Sequence, residues 1–477
     1  MSGQRTFRII VLLLMALGVW GNHRTQLSLN HMRSNLHITR LEPLENAPPV
    51  LAFTTVALGG FRGLIANYLW MRAADHQENG RYFEMLSIAG WITKLQPTFH
   101  AVWNQQAWNM VYNISTQLQD PHERWLWVVS GIELLRDDGL KYNPTEPEIY
   151  RELAAIFQDK IGGTLDISHR YYKEAWATKM VQVLGRTPDL DSLVDPSTPE
   201  EVETVKRLKS EFRLDINTMK IVDDRFGPLD WRMPETHAIY WAHLGLEKCE
   251  HGRLNFLRRT IWQSLVLAFR RGTLIENFAD QRLEYGPNLD LVGRVNDYFQ
   301  IVRTEEEDPN YYSTIDRAYR NFLKDAVYLL YTHNRLEESA TWYRQLRERF
   351  PDDPDVTQGL DQFAVTRTEA QMGRAHSDEI RAIVDGLLAN HYYNLALGQE
   401  DRAIGLLNLA QRTWTHYHER IRGQNDRIGL LPFDQMRQLS LEKGLRGEAQ
   451  LSDAMIIQLR SRLGLGPSSE VPIGDFN

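Results

Sequence analysis

The chain of 477 residues contains one cysteine, Cys249, and no excess of basic side chains. A single thiol excludes an intramolecular disulfide and a cysteine-based metal cluster, and Cys249 is interpreted as a small apolar helix residue. The 54 Lys and Arg residues are outnumbered by 62 Asp and Glu residues, whereas nucleic-acid-binding proteins usually carry a basic face. The sequence therefore predicts no nucleic-acid partner.

The common catalytic motifs are also missing. The sequence has no glycine-rich phosphate loop with its lysine, no Gly-x-Ser-x-Gly elbow and no His-Glu-x-x-His helix, the patterns that mark nucleotide, acyl-transfer and zinc chemistry. We therefore predict a protein that is not an enzyme, with no catalytic residue, no metal site and no cofactor.

Long hydrophobic runs are scarce after the first residues. Arg5 and Arg8 precede an apolar run from Ile9 to Trp20, the order seen in signal peptides and signal anchors. As a helix this run spans about 18 Å, against about 30 Å of hydrocarbon in a bilayer. We predict a signal anchor over 1–21 with the body on the periplasmic side, or alternatively a cleaved signal and a secreted protein.

Residues 22–49 are polar and end in two prolines, which is typical of a linker. The apolar stretch from Val50 to Met71 contains Arg62 and several glycines. An arginine near the bilayer centre is costly, so this stretch is interpreted as the start of a helical array. A second membrane segment is the alternative.

From there to about residue 465, apolar residues recur at three- and four-residue steps, which predicts an all-α fold. Thr198, Pro199 and Glu201 indicate a helix start, because threonine can cap and glutamate completes a capping box. Residues 186–234 are rich in Asp and Pro and are interpreted as an insertion. Residues 466–477 are interpreted as a disordered tail.

A repeated spacing is the most informative pattern. Trp241 is followed by Leu244 and Gly245, and Tyr150 is followed in the same way by Leu153 and Ala154. An aromatic, a leucine three residues on and a small residue four residues on lie on one helix face, and the small residue lets a second helix approach closely. Further residues match the same scheme: Gly252; Gly80, Pro97, Trp103 and Ala107; Leu336, Tyr343 and Pro351; Gly398, Ala403, Leu407 and Ala410.

This spacing resembles the tetratricopeptide repeat, whose unit is a helix–turn–helix of about 34 residues. The resemblance implies antiparallel helix pairs stacked into a right-handed α-solenoid over 50–185 and 235–465. The repeats are degenerate, since Asn334 lies where glycine is usual and Ser339 where alanine is usual. Seven residues are expected in the core between helices: Trp103, Tyr150, Leu153, Ala154, Trp241, Leu244 and Gly245.

In tetratricopeptide arrays the first helix of each pair lines an inner groove, so the resemblance implies a scaffold that binds a protein or peptide partner. We predict such a scaffold in the cell envelope, held near the membrane by the N-terminal helix. The predicted groove residues are Asn104, Trp108, Arg151, Gln158, Lys324, Tyr328 and Tyr331.

An alternative remains open because function belongs to sites and not to folds. The chain would then be an envelope enzyme, or a structural subunit of a larger membrane complex, with a site in the segment from Asp230 to Trp241. The candidate residues of this site are Asp230, Arg232, Glu235 and His237. A pocket joining them to Asp166, which can share a helix face with His169, would favour the enzyme.

Overall fold

A computed structural model gives the conformation of most of the chain. The described residues are 61–252, 254–277, 282–306, 309–333, 335–357, 359–372, 377–421, 430–447 and 451–466, with scattered positions between 20 and 32. Apart from those scattered positions, the predicted anchor (1–21) and linker (22–49) lie outside the described residues, as does nearly all of the predicted tail (466–477). No helix within the described residues combines the length and the apolar character needed to span a membrane.

The first half of the described chain forms eleven helices. They are α1 (Phe61–Glu78), α2 (Tyr82–Leu95), α3 (His100–Trp108), α4 (Ser115–Gln117), α5 (Pro121–Glu133), α6 (Leu140–Tyr142), α7 (Pro147–Ala155), α8 (His169–Leu184), α9 (Leu190–Val194), α10 (Pro199–Glu211) and α11 (Ile216–Phe226). Three π-helical segments extend α3, α5 and α7, and their bounds are Asn109–Ile114, Leu134–Gly139 and Ile156–Ile161.

The second half adds ten helices and one β-hairpin among the described residues. The elements are α12 (Pro234–Lys248), α13 (Leu254–Arg271), β1 (Thr273–Asn277), β2 (Arg282–Gly286), α14 (Val292–Thr304), α15 (Tyr312–Thr332), α16 (Leu336–Arg349), α17 (Leu360–Met372), α18 (Ser377–Ala396), α19 (Glu400–Ile421), α20 (Phe433–Leu445) and α21 (Asp453–Arg462). The all-α prediction is therefore confirmed.

Local sequence signals explain where several helices begin. The Thr198 hydroxyl accepts from the backbone N–H of Glu201, and the Glu201 side chain accepts from the backbone of Thr198, completing the predicted capping box. Asp120 and Asp215 cap α5 and α11 in a similar way. Such caps satisfy N–H groups that lack a partner in the first helical turn.

The β-hairpin was not anticipated by the helical periodicity. β1 and β2 pair antiparallel, with Thr273 opposite Gly286. The backbone N–H of Leu274 donates to Asp230 Oδ2 at 2.9 Å, and the Leu274 side chain is buried. This strand is therefore fixed by a carboxylate more than forty residues earlier in the chain, which is a tertiary contact that local periodicity does not show.

Helices that follow one another in sequence pack as hairpins. The pairs α12/α13, α15/α16 and α18/α19 are in direct contact and coincide with matched repeats. Gly398, between α18 and α19, has a φ of 78°, a left-handed conformation that glycine adopts without steric cost. The short connections make the two helices of each pair antiparallel.

The predicted core residues are buried, except that Leu244 is half-buried. Gly245 marks a close approach between α12 and its neighbours, since a Cβ placed there would lie 2.7 Å from Tyr150 Cβ and 2.9 Å from Leu257 Cδ1. Residues 186–234, predicted as an insertion, hold α9, α10 and α11, and their apolar side chains join the main core.

Candidate functional site

The predicted groove residues do not form one exposed surface. Trp108 is 45% exposed and its ring lies tilted against that of Tyr112, and the Arg151 side chain is 46% exposed. Asn104 is half-buried. The remaining four are covered by neighbouring parts of the chain and are Gln158, Lys324, Tyr328 and Tyr331.

These four have internal roles. Gln158 donates to Gln263 at 3.3 Å, Lys324 lies 2.7 Å from carboxylate oxygens of Asp353 and Asp355, and the Tyr331 hydroxyl donates to Asp361. Tyr328 has no exposed surface. They lie on α15 or directly after α7 and pack against other parts of the chain. Contact with a partner stays a prediction, and Trp108 and Arg151 are the most accessible of the predicted residues.

Asp166 and His169 are neighbours but do not form a proton-transfer pair. His169 Nδ1 lies 2.7 Å from the backbone oxygen of Asp166. The Asp166 carboxylate instead accepts from Arg124 at 2.9 and 3.0 Å and from Lys160 at 2.7 Å. Burial raises the pKa of this carboxyl, but the hydrogen bonds from Lys160 and from the backbone of Ser168 outweigh it and lower the pKa below its usual value. Asp166 is therefore an ionised anchor for two buried cations.

Asp230 and Arg232 form a clasp at the start of α12. The Arg232 guanidinium donates through Nε and one Nη to both carboxylate oxygens of Asp230 at 2.8 Å. It also donates to the backbone oxygen of Arg186, while Asp230 accepts from the backbone of Leu274. Bidentate pairs of this kind are strong and geometrically specific, and this one ties three distant segments together.

His237 is completely buried within an aromatic cluster. Its Nε2 lies 2.9 Å from the Trp231 carbonyl oxygen, and its ring lies 4.8 Å from Trp176 and 5.4 Å from Phe157, centroid to centroid. Burial lowers the pKa of His237 to about 4. The imidazole is thus neutral at physiological pH and packs as part of the core.

This burial predicts a loss of stability in acid. The pKa of His237 is about 4 when folded and about 6.5 when unfolded, so the unfolded chain takes up the proton first as pH falls. The stabilisation is complete above about pH 6.5 and is lost between about pH 6.5 and 4, with a loss on the order of 1–2 kcal/mol at pH 5. Urea unfolding at pH 7.5 and 5.0 should show a smaller acid loss for His237→Gln than for the parent, and equal losses would contradict the assignment.

Glu235 is the most enclosed charge of the segment. Its side chain has no exposed surface, Oε1 lies 2.9 Å from Lys173 Nζ and 3.3 Å from Arg271 Nε, and Oε2 has no hydrogen-bond partner. The Lys173 side chain is 7% exposed and that of Arg271 is 16% exposed. We call Lys173, Glu235 and Arg271 the buried triad.

A small pocket lies above the buried triad. We call it the triad pocket, and it has a free volume of about 40 Å3. Its wall includes the two cations of the triad together with Gly162, Gly163, Arg270 and Tyr285; His169, Arg170, Glu379 and two further residues complete it. A free volume of about 10–15 Å3 is enough for one water molecule, so the pocket has room for a small ion or the end of a side chain.

The glycines allow the backbone to reach this position. Gly162 and Gly163 follow the π-helical segment of α7, and a Cβ at Gly163 would lie 1.9 Å from the Asp159 carbonyl oxygen. A Cβ at Gly162 would lie 3.2 Å from Glu235 Oε1. Irregular π turns often occur at functional sites.

Sequence reasoning identified Glu235 but missed Lys173, Arg271 and the two glycines. The adjacent glycines after a helix were the available signal. The structure separates the residues of the predicted alternative site. Asp230 and Arg232 form an ion pair, His237 is buried in the core, and Glu235 lies beneath the triad pocket. These residues do not converge on Asp166.

One further cluster, made of His100, Glu146 and Glu148, has metal-ligand chemistry. His100 Nδ1 lies 3.5 Å from Glu146 and Nε2 lies 3.1 Å from Glu148. Each ring nitrogen thus faces a different carboxylate, and one ligand atom from each of the three residues lies within 4.8 Å of the others. The side chains are 30–48% exposed.

Comparison with known proteins gives no family for this chain. No family model matches the sequence, and no curated protein matches it.

Proposed function

We propose that this protein is a non-enzymatic, tetratricopeptide-like helical scaffold of the cell envelope that binds a protein or peptide partner. The observation that carries the proposal is a surface groove between α5, α8 and α10 with a volume of about 410 Å3. Its apolar side chains are Val129, Ile132, Trp176 and Phe212. Concave sites with an apolar floor and a few polar groups are typical binding sites.

The rim of this groove carries charges of both signs. Glu133, Arg136, Lys179, Arg207 and Glu211 line it. Arg207 pairs with Glu211 at 2.9 Å, which leaves the rim mixed and without one dominant charge. An extended peptide has polar backbone groups and alternating side chains, so a mixed rim around an apolar floor suits it.

The repeat-like packing supports the same proposal. The helix pairs α12/α13, α15/α16 and α18/α19 fall on the matched repeats, and Gly245 allows the close approach that the repeat scheme requires. Stacking of such pairs into a right-handed solenoid would create an extended binding surface. The solenoid and its inner groove belong to this proposal.

The first test concerns the two exposed residues predicted from the repeat scheme, Trp108 and Arg151, which do not line the groove between α5, α8 and α10. Alanine at Trp108 and Arg151 together should weaken partner capture at least tenfold, about 1.4 kcal/mol, because an aromatic anchor and a cation are lost. Capture is measured by crosslinking pull-down followed by titration with the identified partner. A matched control, alanine at the exposed Trp91 and Arg81, should leave the affinity unchanged.

Unchanged capture by the Trp108/Arg151 variant would show that the groove residues predicted from the repeat scheme do not belong to the binding site. Charge reversal at Lys179 and Arg207 then tests the groove between α5, α8 and α10. If both variants bind the partner like the parent protein, neither the predicted groove residues nor the groove between α5, α8 and α10 is the binding site, and the scaffold proposal is contradicted.

Membrane association is proposed through the N-terminal anchor. Deletion of residues 1–21 should release the body from the membrane fraction, as measured by flotation. α1 offers a second contact, because Leu64, Tyr68 and Met71 lie along one face and are 56–65% exposed. If the truncated protein still floats but a variant with serine at these three positions does not, α1 and not residues 1–21 holds the body to the membrane.

A further inference from the structure

We propose that His100, Glu146 and Glu148 form a binding site for one Zn2+ ion. This inference goes beyond the proposed scaffold function and does not depend on it. The sequence predicts no metal site, because His100 lies 48 positions before Glu148 and no short ligand spacing is visible in the chain. Only the fold brings the three side chains together.

The three side chains come from the starts of two helices that are in contact. His100 is the first residue of α3, Glu148 lies in the first turn of α7, and Glu146 directly precedes α7. The helices α3 and α7 pack on each other. The Asn143 side chain, before α7, donates to the carbonyl oxygen of Pro97, before α3, at 2.9 Å. The backbone that carries the three ligands is therefore already held in place.

The distances between the ligand atoms suit one ion. Zn2+ binds histidine nitrogen and carboxylate oxygen at about 2.0–2.2 Å, so two ligand atoms of a tetrahedral site lie roughly 3.3–3.5 Å apart. Carboxylate oxygens of Glu146 and Glu148 lie 3.5 and 3.1 Å from the two ring nitrogens of His100. One ligand atom from each residue lies within 4.8 Å of the other two, which is close to the spacing that one ion requires.

One ring nitrogen has to bind the ion, because the two nitrogens of an imidazole point in different directions. Nε2 of His100 already faces Glu148, so Glu146 moves toward it by at most about 1.5 Å to reach the spacing of zinc ligands. The side chains of His100 and Glu146 are 30% and 32% exposed. A rotation of Glu146 on this partly exposed surface leaves the packed core unchanged.

The charges of the cluster suit a divalent cation. Within the described part of the chain, His100 is the one ion-pair partner of both Glu146 and Glu148. The nearest arginine along α7, Arg151, pairs with Glu152 instead. A protonated His100 balances one carboxylate, whereas Zn2+ bound to a neutral imidazole balances both.

The imidazole ligand favours zinc over Mg2+ and Ca2+. Those hard cations take about six or more oxygen ligands, whereas Zn2+ accepts nitrogen and oxygen from three side chains and keeps a fourth position for water or another ligand. A cavity of about 160 Å3 adjoins Glu148 and is lined by Pro147, Arg151 and Phe256. This cavity leaves room beside the site for the fourth ligand.

The experiment titrates the full chain, freed of metal with a chelator, with ZnCl2 alone. Isothermal titration calorimetry should show one Zn2+ per chain at a site that His100→Gln, Glu146→Gln and Glu148→Gln each weaken at least about tenfold, because each removes one ligand. Mg2+ and Ca2+ should bind there at least about a hundredfold more weakly. Zn2+ should also raise the Tm, because a ligand that binds only the folded state stabilises it, and each substitution should reduce this rise.

His122→Gln is the matched control. His122 also lies in the first turn of a helix, α5, and is exposed, but its ring contacts the Tyr171 hydroxyl, so this variant should bind Zn2+ like the parent. Circular dichroism verifies that each variant is folded, and Glu148, 48% exposed, is the ligand whose substitution disturbs packing least. The proposal is overturned if no Zn2+ binds, if the three ligand substitutions leave Zn2+ binding unchanged, or if Mg2+ or Ca2+ binds as tightly.

Discussion

Glu235→Ala is expected to lower the free energy of unfolding by about 3–5 kcal/mol, the usual cost of removing one partner from a buried ion pair. The change leaves Lys173 and Arg271 facing each other without the carboxylate that lies 2.9 and 3.3 Å from them. Both cations are nearly enclosed, so water replaces the lost partner poorly.

Urea unfolding followed by circular dichroism measures this loss. The matched control is Glu203→Ala, which breaks an exposed pair with Lys206 whose side chains are 58% and 70% exposed. Exposed pairs contribute about 0–1 kcal/mol, so the control should stay close to the parent. Equal, small effects of the two substitutions would show that Glu235 does not act as a buried counter-ion.

Gly245→Ala is expected to destabilise the protein even though alanine is the better helix former. The new Cβ would lie 2.7 Å from Tyr150 Cβ, an atom fixed to the backbone of α7. Gly245→Leu would add three further carbons at the same place, and overpacking of this kind costs about 1–3 kcal/mol. The free energy of unfolding should therefore fall from the parent to alanine and again to leucine.

Alanine at a second helical glycine is expected to have the opposite effect on the free energy of unfolding. Gly293 lies in α14, and a Cβ there meets no atom within 4 Å. Gly293→Ala should raise the free energy of unfolding by about 0.5–1 kcal/mol through helix propensity alone. If Gly245→Ala were also stabilising, α7 and α12 would not be in close contact at this point.

The helices and much of the core could be predicted from the sequence. The capping box at Thr198 is complete within four residues, and the spacing of Tyr150, Leu153 and Ala154 defines a buried face within one helix. Such signals are local, because they depend on the 3.6-residue period and on the unsatisfied groups of a helix end. The hairpin of β1 and β2 depends on a contact with Asp230 and was missed for that reason.

The predicted groove residues show the same limit of local sequence signals. Trp108 and Arg151 are exposed where the repeat scheme expected a groove, but Tyr328 at an equivalent step is buried. A repeat position gives the face of a helix and does not reveal what covers that face. Whether a predicted groove residue is open is decided by the next helices, which pack on α15 from elsewhere in the chain.

What the sequence determined by itself is therefore the helical class, the helix ends and the small residue at the contact of α7 with α12. Each follows from residues that are close together in the chain. The tertiary structure alone decided that Lys173 on α8 and Arg271 at the end of α13 share Glu235, and that Gly162 and Gly163 open a pocket above them. These residues lie up to about one hundred positions apart, and the Coulomb energy that couples them depends on their distance in space and on the burial that removes water from between them.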